Sequence, residues 1–145
     1  LFCGIDADTL ILPDALLKVC LPFMEHPDKT VASGGTIRVA NGCTVRGGQV
    51  EAVGFPKNHV ARFQVVEYLR AFLFGRVGWN IIDGTLIISG AFGVFKRQTA
   101  IEVGGYTHDT VGEDMELVVK MHRYLREHAP DHEQVASGGL ARDWR

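Results

Sequence analysis

An α/β fold, with strands and helices alternating along the chain, is what this 145-residue sequence predicts. Three observations carry the prediction. Two short apolar runs, residues 1–5 and 86–95, have the length and composition of buried strands. Residues 30–40 are rich in Val, Ile and Thr, which favour a pleated surface. Residues 62–74 and 113–128 carry apolar side chains at helical spacing, so helices alternate with strands. The length is that of one ordinary domain, and 46 % hydrophobic residues suffice for a core.

Taken in order, residues 1–5 form a strand that ends in Asp6-Ala7-Asp8. Pro13 suits a first helical turn, and Leu16, Leu17 and Cys20 give the short helix that follows an apolar stripe. His26-Pro27-Asp28-Lys29 is a turn. The strand at 30–40 runs to Asn41-Gly42, a hairpin signal because both positions tolerate positive φ, with a return at 43–46 or 49–53. The helix at 62–74 turns Phe63, Val66, Leu69, Phe72 and Leu73 toward a core. One helical turn at 99–103 stops at Gly104-Gly105. The helix at 113–128 has Met115, Val118, Val119, His122 and Leu125 on one stripe, with His122 expected as a packed core residue. Residues 129–145, with Pro130, Gly138 and Gly139, read as an irregular tail.

The bulk numbers exclude some functions. A formal net charge of -2 gives no general attraction to nucleic acid or to an anionic membrane. Cys3, Cys20 and Cys43 are odd in number and widely spaced, so free thiols buried in a reducing compartment are expected. The apolar runs at 71–75 and 86–95 are too short to span a bilayer, so no transmembrane segment is expected within these residues. The chain begins without Met inside a strand and is expected to be cut from a longer protein.

Several residues have chemistry to offer. Asp6 and Asp8 stand two apart at a predicted strand end, where their carboxylates share a face roughly 6–7 Å apart. Hard oxygens in that arrangement suit Mg²⁺ or Mn²⁺ together with substrate phosphates. In open α/β sheets, ligands bind at the carboxyl ends of strands. The alternative is a solvated acidic turn in which Asp8 caps the next helix. Glu113 and Asp114 open the last helix, either as caps or with one as a general base that takes the proton of an attacking hydroxyl. Ser89-Gly90-Ala91-Phe92-Gly93 places small residues where backbone approaches a ligand, or where a buried strand packs tightly. His128 and His132 are four apart, but Pro130 between them argues against a helical metal pair.

In order along the chain, these segments resemble family 2 glycosyltransferases. Asp6-Ala7-Asp8-Thr9 with Pro13-Asp14-Ala15-Leu16 is similar to their DxD region, and residues 88–97 to their acceptor-side strand. Val103-Gly104-Gly105-Tyr106, then Thr110-Val111-Gly112-Glu113-Asp114-Met115-Glu116-Leu117, resembles the segment holding their catalytic base. Gln64-Val65-Val66-Glu67-Tyr68-Leu69-Arg70 is similar to the membrane-associated branch, which includes cellulose, hyaluronan and poly-N-acetylglucosamine synthases.

The resemblance implies a partial GT-A domain, a Rossmann-like nucleotide-sugar-binding α/β fold with a mixed sheet flanked by helices. Residues 1–128 would be the C-terminal part of its catalytic domain. It implies metal-dependent, inverting transfer from a UDP-linked sugar to a glycan or lipid acceptor. Asp114 would be the catalytic base. Asp6 and Asp8 would bind the metal, Mg²⁺ or Mn²⁺, and the donor, and Ser89, Gly90 and Glu113 would complete the substrate site. The site would lie on the cytoplasmic side of a membrane, reached through other parts of the parent. Gly112 stands where many relatives have Thr, and Asp143-Trp144-Arg145 does not match the family's later QxxRW motif. The chain alone is expected to be inactive. The competing readings are a truncated remnant without donor binding and a metal-dependent nucleotidyltransferase on a similar sheet.

Overall fold

The computed structural model describes residues 1–75, 88–107, 110 and 112–128. The predicted tail, His132, and the first part of the apolar run at 86–95 lie outside them. In chain order the elements are β1 (Phe2–Ile5), α1 (Ala15–Glu25), β2 (Ala32–Gly34), β3 (Thr44–Arg46), β4 (Gln49–Ala52), α2 (His59–Leu69), β5 (Phe92–Phe95), α3 (Arg97–Glu102) and α4 (Glu113–His128). A π-helical segment, Arg70–Gly75, continues α2.

β5 lies between β1 and β2 and is antiparallel to both. Its Gly93 stands opposite Gly4 on one side and Gly34 on the other. β1 and β2 therefore run the same way, but β5 separates them and takes their hydrogen bonds. The predicted mixed sheet is thus antiparallel in every pairing among the described residues. β5 is buried at all four positions, as expected of a central strand. β1 is half exposed, because an edge strand has one neighbour only. Cys3 on it is correspondingly exposed rather than buried, while all three cysteines are free as expected.

Alternation along β5 sends its side chains to two layers. Phe92 and Val94 meet Val19 and Phe23 of α1 on one face. Phe95 on the other face joins Ala32, Ile88, Ala100 of α3, and Leu117, Val118, Met121 and Leu125 of α4. Burying each of these larger side chains contributes about 1.5–3 kcal/mol, so α4 is the main anchor of the second layer.

The helices exist where predicted, but their buried faces differ. α4 has the predicted bounds, and Val118, His122 and Leu125 are buried as expected. Met115 and Val119 are exposed, and Leu117 and Met121 take their place. Two overlapping stripes are present in this sequence, and contact with the sheet selects the one centred on Leu117 and Met121. In α1 the same rotation buries Val19 and Phe23 and exposes Leu16 and Leu17, and the helix continues through Pro22.

The segment from β3 to α2 departs most. The hairpin turn is Gly47-Gly48, at φ 56° and 77°, and not Asn41-Gly42. Two consecutive left-handed residues suit a tight hairpin. Gly42 instead closes a separate turn, with the Cys43 N–H donating to the Ala40 carbonyl at 3.0 Å. α2 starts at an Asn58 cap whose side chain accepts from the Val60 N–H at 2.8 Å. Its predicted core stripe, Phe63, Val66 and Leu69, is exposed.

Candidate active site

β1 ends at Ile5, and the chain then turns. The Asp6 N–H donates to the Ala91 carbonyl at 3.3 Å, and the Thr9 N–H returns to the Asp6 carbonyl at 3.0 Å. Residues 6–9 are therefore a β-turn. The strand alternation expected to align Asp6 and Asp8 on one face does not reach them. Both carboxylates stand exposed on this turn.

At the facing edge, α4 begins after Gly112, whose φ of 132° only glycine adopts readily. Glu113, Asp114 and Glu116 all lie in its first turn, where the helix dipole favours negative charge. The Asp114 carboxylate reaches back to the sheet, and its Oδ2 accepts from the Gly90 N–H at 2.8 Å. Gly90 is there for closeness and not for an unusual φ: a β-carbon added to it would overlap Oδ2 and lie 2.6 Å from Oδ1. The Ser89 hydroxyl is turned to its own loop and accepts from the Ala91 N–H at 3.4 Å.

An open cleft of about 550 Å³ joins the two edges, lined by Gly4, Ile5, Asp6, Gly90, Tyr106, Thr107, Glu113 and Asp114. Of the sequence-predicted residues, the fold brings Asp6, Gly90, Glu113 and Asp114 together here. Ser89 is the sequence neighbour of the lining residue Gly90, and Asp8 stands two positions beyond Asp6 on the turn; neither lines the cleft itself. The sequence placed Tyr106 in the segment leading to Asp114 without a role of its own, and it gave no sign of Gly4. The Gly-Gly-Tyr run was the available signal for the first. Partial burial, then the charges of Asp114 and Glu113, hold the Tyr106 phenol above its ordinary range, so it stays a neutral hydroxyl among carboxylates. Gly4 faces that ring, and a β-carbon there would lie 3.7 Å from the hydroxyl.

Among the described residues no three His, Cys, Asp or Glu side chains gather as a metal cage. Asp6 and Asp8 offer two exposed carboxylates on one turn. That set fits a hard cation that takes its remaining oxygens from phosphate and water, as Mg²⁺ commonly does.

The family model for "Glycosyl transferase family group 2" matches residues 2–126, spanning both sides of the cleft. The chain belongs to the family 2 glycosyltransferases. Among curated proteins it is similar to the poly-beta-1,6-N-acetyl-D-glucosamine synthases of Staphylococcus aureus strains COL, MSSA476 and MRSA252, with 28 % identity over 134 residues in each case. The alignment covers 91 % of this chain and 28 % of each relative. No solved structure matches the chain. No helix among the described residues is long and apolar enough to cross a membrane.

Proposed function

We propose that residues 1–128 are the C-terminal part of a catalytic domain that transfers a sugar, with inversion, from a UDP-linked donor to a glycan or lipid acceptor. The observation that carries this reading is the Asp114 carboxylate, tethered through Oδ2 to the Gly90 N–H while it lines an open cleft with Asp6. A fixed carboxylate at a helix start is suited to accept a proton.

The acceptor hydroxyl oxygen attacks the anomeric carbon of the donor sugar. Asp114 takes the hydroxyl proton, a new glycosidic C–O bond forms, and the C–O bond to the diphosphate breaks. The nucleoside diphosphate leaves with the electron pair. Attack opposite the leaving group inverts the anomeric centre. Asp6 and Asp8 are the residues that would hold Mg²⁺ or Mn²⁺, which when bound supplies charge neutralisation on the diphosphate. Glu113 shapes the acceptor side, and Gly90 fixes the base. Ser89 supports Gly90 through its turn.

The chain covers 28 % of the curated relatives it matches, so the activity belongs to a longer protein on this reading. The chain alone is inactive, and the whole acts at the cytoplasmic face of a membrane. Resemblance to the membrane-associated branch supports that placement. The relatives' name makes N-acetylglucosamine the first sugar to try.

The test uses the longer protein in membranes, with labelled UDP-N-acetylglucosamine and other UDP-sugars, with and without Mn²⁺. Sugar transfer is expected in wild type. Asp114→Asn should lower turnover by about 10²–10⁴-fold with UDP binding nearly unchanged. Glu113→Gln should cost less. A silent Asp114→Asn beside a dead Glu113→Gln would reverse the two roles.

A further inference from the structure

One polar cluster next to the cleft is not used by the chemistry above. Lys120 Nζ donates to the Gly105 carbonyl at 3.2 Å and to Thr107 Oγ1 at 2.6 Å. Thr107 in turn donates to Glu116 Oε1 at 2.8 Å, and Glu116 pairs with Lys120 at 3.1 Å. Thr110 adds a longer hydrogen bond to Glu116 Oε2 at 3.4 Å. The result is a closed triangle of ammonium, hydroxyl and carboxylate. It uses the one donor and the acceptor capacity of the threonine hydroxyl together.

This pair differs from the others at the same helical spacing. The Lys120 and Glu116 side chains are 29 % and 28 % exposed, against 69 % and 54 % for Lys18 and Asp14. Exposed pairs of that second kind contribute little. Here the hydrogen bond from Thr107, followed by Lys120, holds the Glu116 carboxyl below its ordinary range.

The triangle grips the residues on both sides of Tyr106. The grip is needed, because Gly104 and Gly105 precede Tyr106 at φ 86° and 65°, and nothing lies within 4 Å of where their β-carbons would be. Glycines of this kind leave backbone freedom that must be removed from outside. Tyr106 and Thr107 line the cleft beside Asp114. A half-exposed aromatic ring beside carboxylates is the chemistry that recognises a saccharide, apolar on its C–H face and hydroxyl-bearing at its rim.

We propose that Glu116 and Lys120 are positioning residues for acceptor binding, holding Tyr106 as the platform for the acceptor sugar next to Asp114. The proposal rests on the glycosyltransfer reading above and adds to it the side of the cleft that takes the acceptor.

The test is steady-state transfer by the longer protein, with UDP-N-acetylglucosamine as donor and β-1,6-linked N-acetylglucosamine oligosaccharides as acceptor. Lys120→Met should raise acceptor KM by about ten- to a hundredfold, the loss of a charged hydrogen-bond anchor. Donor KM should stay within about twofold, and Lys120→Arg should restore most of the acceptor affinity. Thr107→Val removes the grip on the Thr107 side of Tyr106 and leaves the charge pair and the Lys120 bond to the Gly105 carbonyl, and serves if Lys120→Met fails to fold. It should show the same split between acceptor and donor. A fall in kcat alone, or an equal rise in both KM values, would overturn the positioning role. Wild-type protein that transfers no sugar would overturn the glycosyltransfer reading itself, a result readily told apart from a missing split.

Discussion

The sheet with α1, α3 and α4 and the arm formed by β3, β4 and α2 both include a helix with apolar side chains at helical spacing, yet among the described residues only the first is covered. Leu117 on α4 is 0 % exposed and Phe63 on α2 is 76 % exposed, although each sits on an apolar stripe of its own helix. Val53, Phe55, Val60 and Val66 are exposed with Phe63. No residue from 36–72 belongs to the buried set of either core cluster; Ile37 only flanks the second. Periodicity shows that a helix has an apolar face, and the partner that meets the face decides whether it is buried. The candidate site belongs wholly to the covered part. The Asp114 carboxylate and Gly90 are held beside elements that the core fixes in place.

The widest expected gap between the two regions is in stability. Leu117→Ala should cost about 2–5 kcal/mol, as a truncated core leucine does. Phe63→Ala should stay within about 0.5 kcal/mol, the usual range for surface changes. Urea titration of the 145-residue chain measures both. Equal costs would break the comparison, because the arm would then be held by a core it does not show.

Glycines sharpen it next. Gly90→Ala pushes a β-carbon into the Asp114 carboxylate. An overpacking cost of about 1–3 kcal/mol is expected. Transfer by the longer protein should fall roughly 10²-fold, because the base moves by a fraction of an ångström to an ångström. Gly48→Ala in the arm meets nothing within 4 Å and strains only a backbone at φ 77°. Its cost should be about 1–2 kcal/mol of hairpin stability with transfer unaffected. Transfer that survives Gly90→Ala intact would show that Asp114 does not depend on this contact.

The same contrast explains what the sequence could and could not reveal. The bounds of α4, the free cysteines, the stop at Gly104-Gly105 and the meeting of Asp6 with Asp114 were legible, because capping chemistry, glycine punctuation and motif order are local or ordered signals. The antiparallel pairing of β5 between β1 and β2 was not, since strand composition carries no neighbour. The choice of Leu117 and Met121 over Met115 and Val119 depends on the sheet beneath the helix. The turn at residues 6–9, which moves Asp8 off the strand, depends on a hydrogen bond to the Asp6 carbonyl that residue identity alone does not announce. Tyr106 was legible as part of the segment leading to Asp114, but its approach to Gly4 depends on how that loop folds against β1.

The smallest effect tests whether the covered region is as well satisfied as it is buried. Ser33 on β2 is 0 % exposed, and its hydroxyl has no hydrogen-bond partner among the described residues. It stands opposite Val94 of β5, on the face that α1 covers. A buried hydroxyl without a partner carries a desolvation cost of about 1–3 kcal/mol, whereas a methyl group of similar size at the same place carries none. Ser33→Ala removes the oxygen, keeps the backbone ladder to β5 and leaves room for no more than an atom. The expected outcome is therefore a gain of about 1 kcal/mol, read as a higher urea midpoint with an unchanged slope. The gain should be absent at Thr30, equally buried, whose hydroxyl donates to the Pro22 carbonyl at 2.9 Å and so is already satisfied. Thr30→Val should instead cost about 0.5–1.5 kcal/mol. If Ser33→Ala destabilises as Thr30→Val does, the Ser33 hydroxyl has a partner, such as a buried water bound between β2 and α1, and the covered region is satisfied throughout.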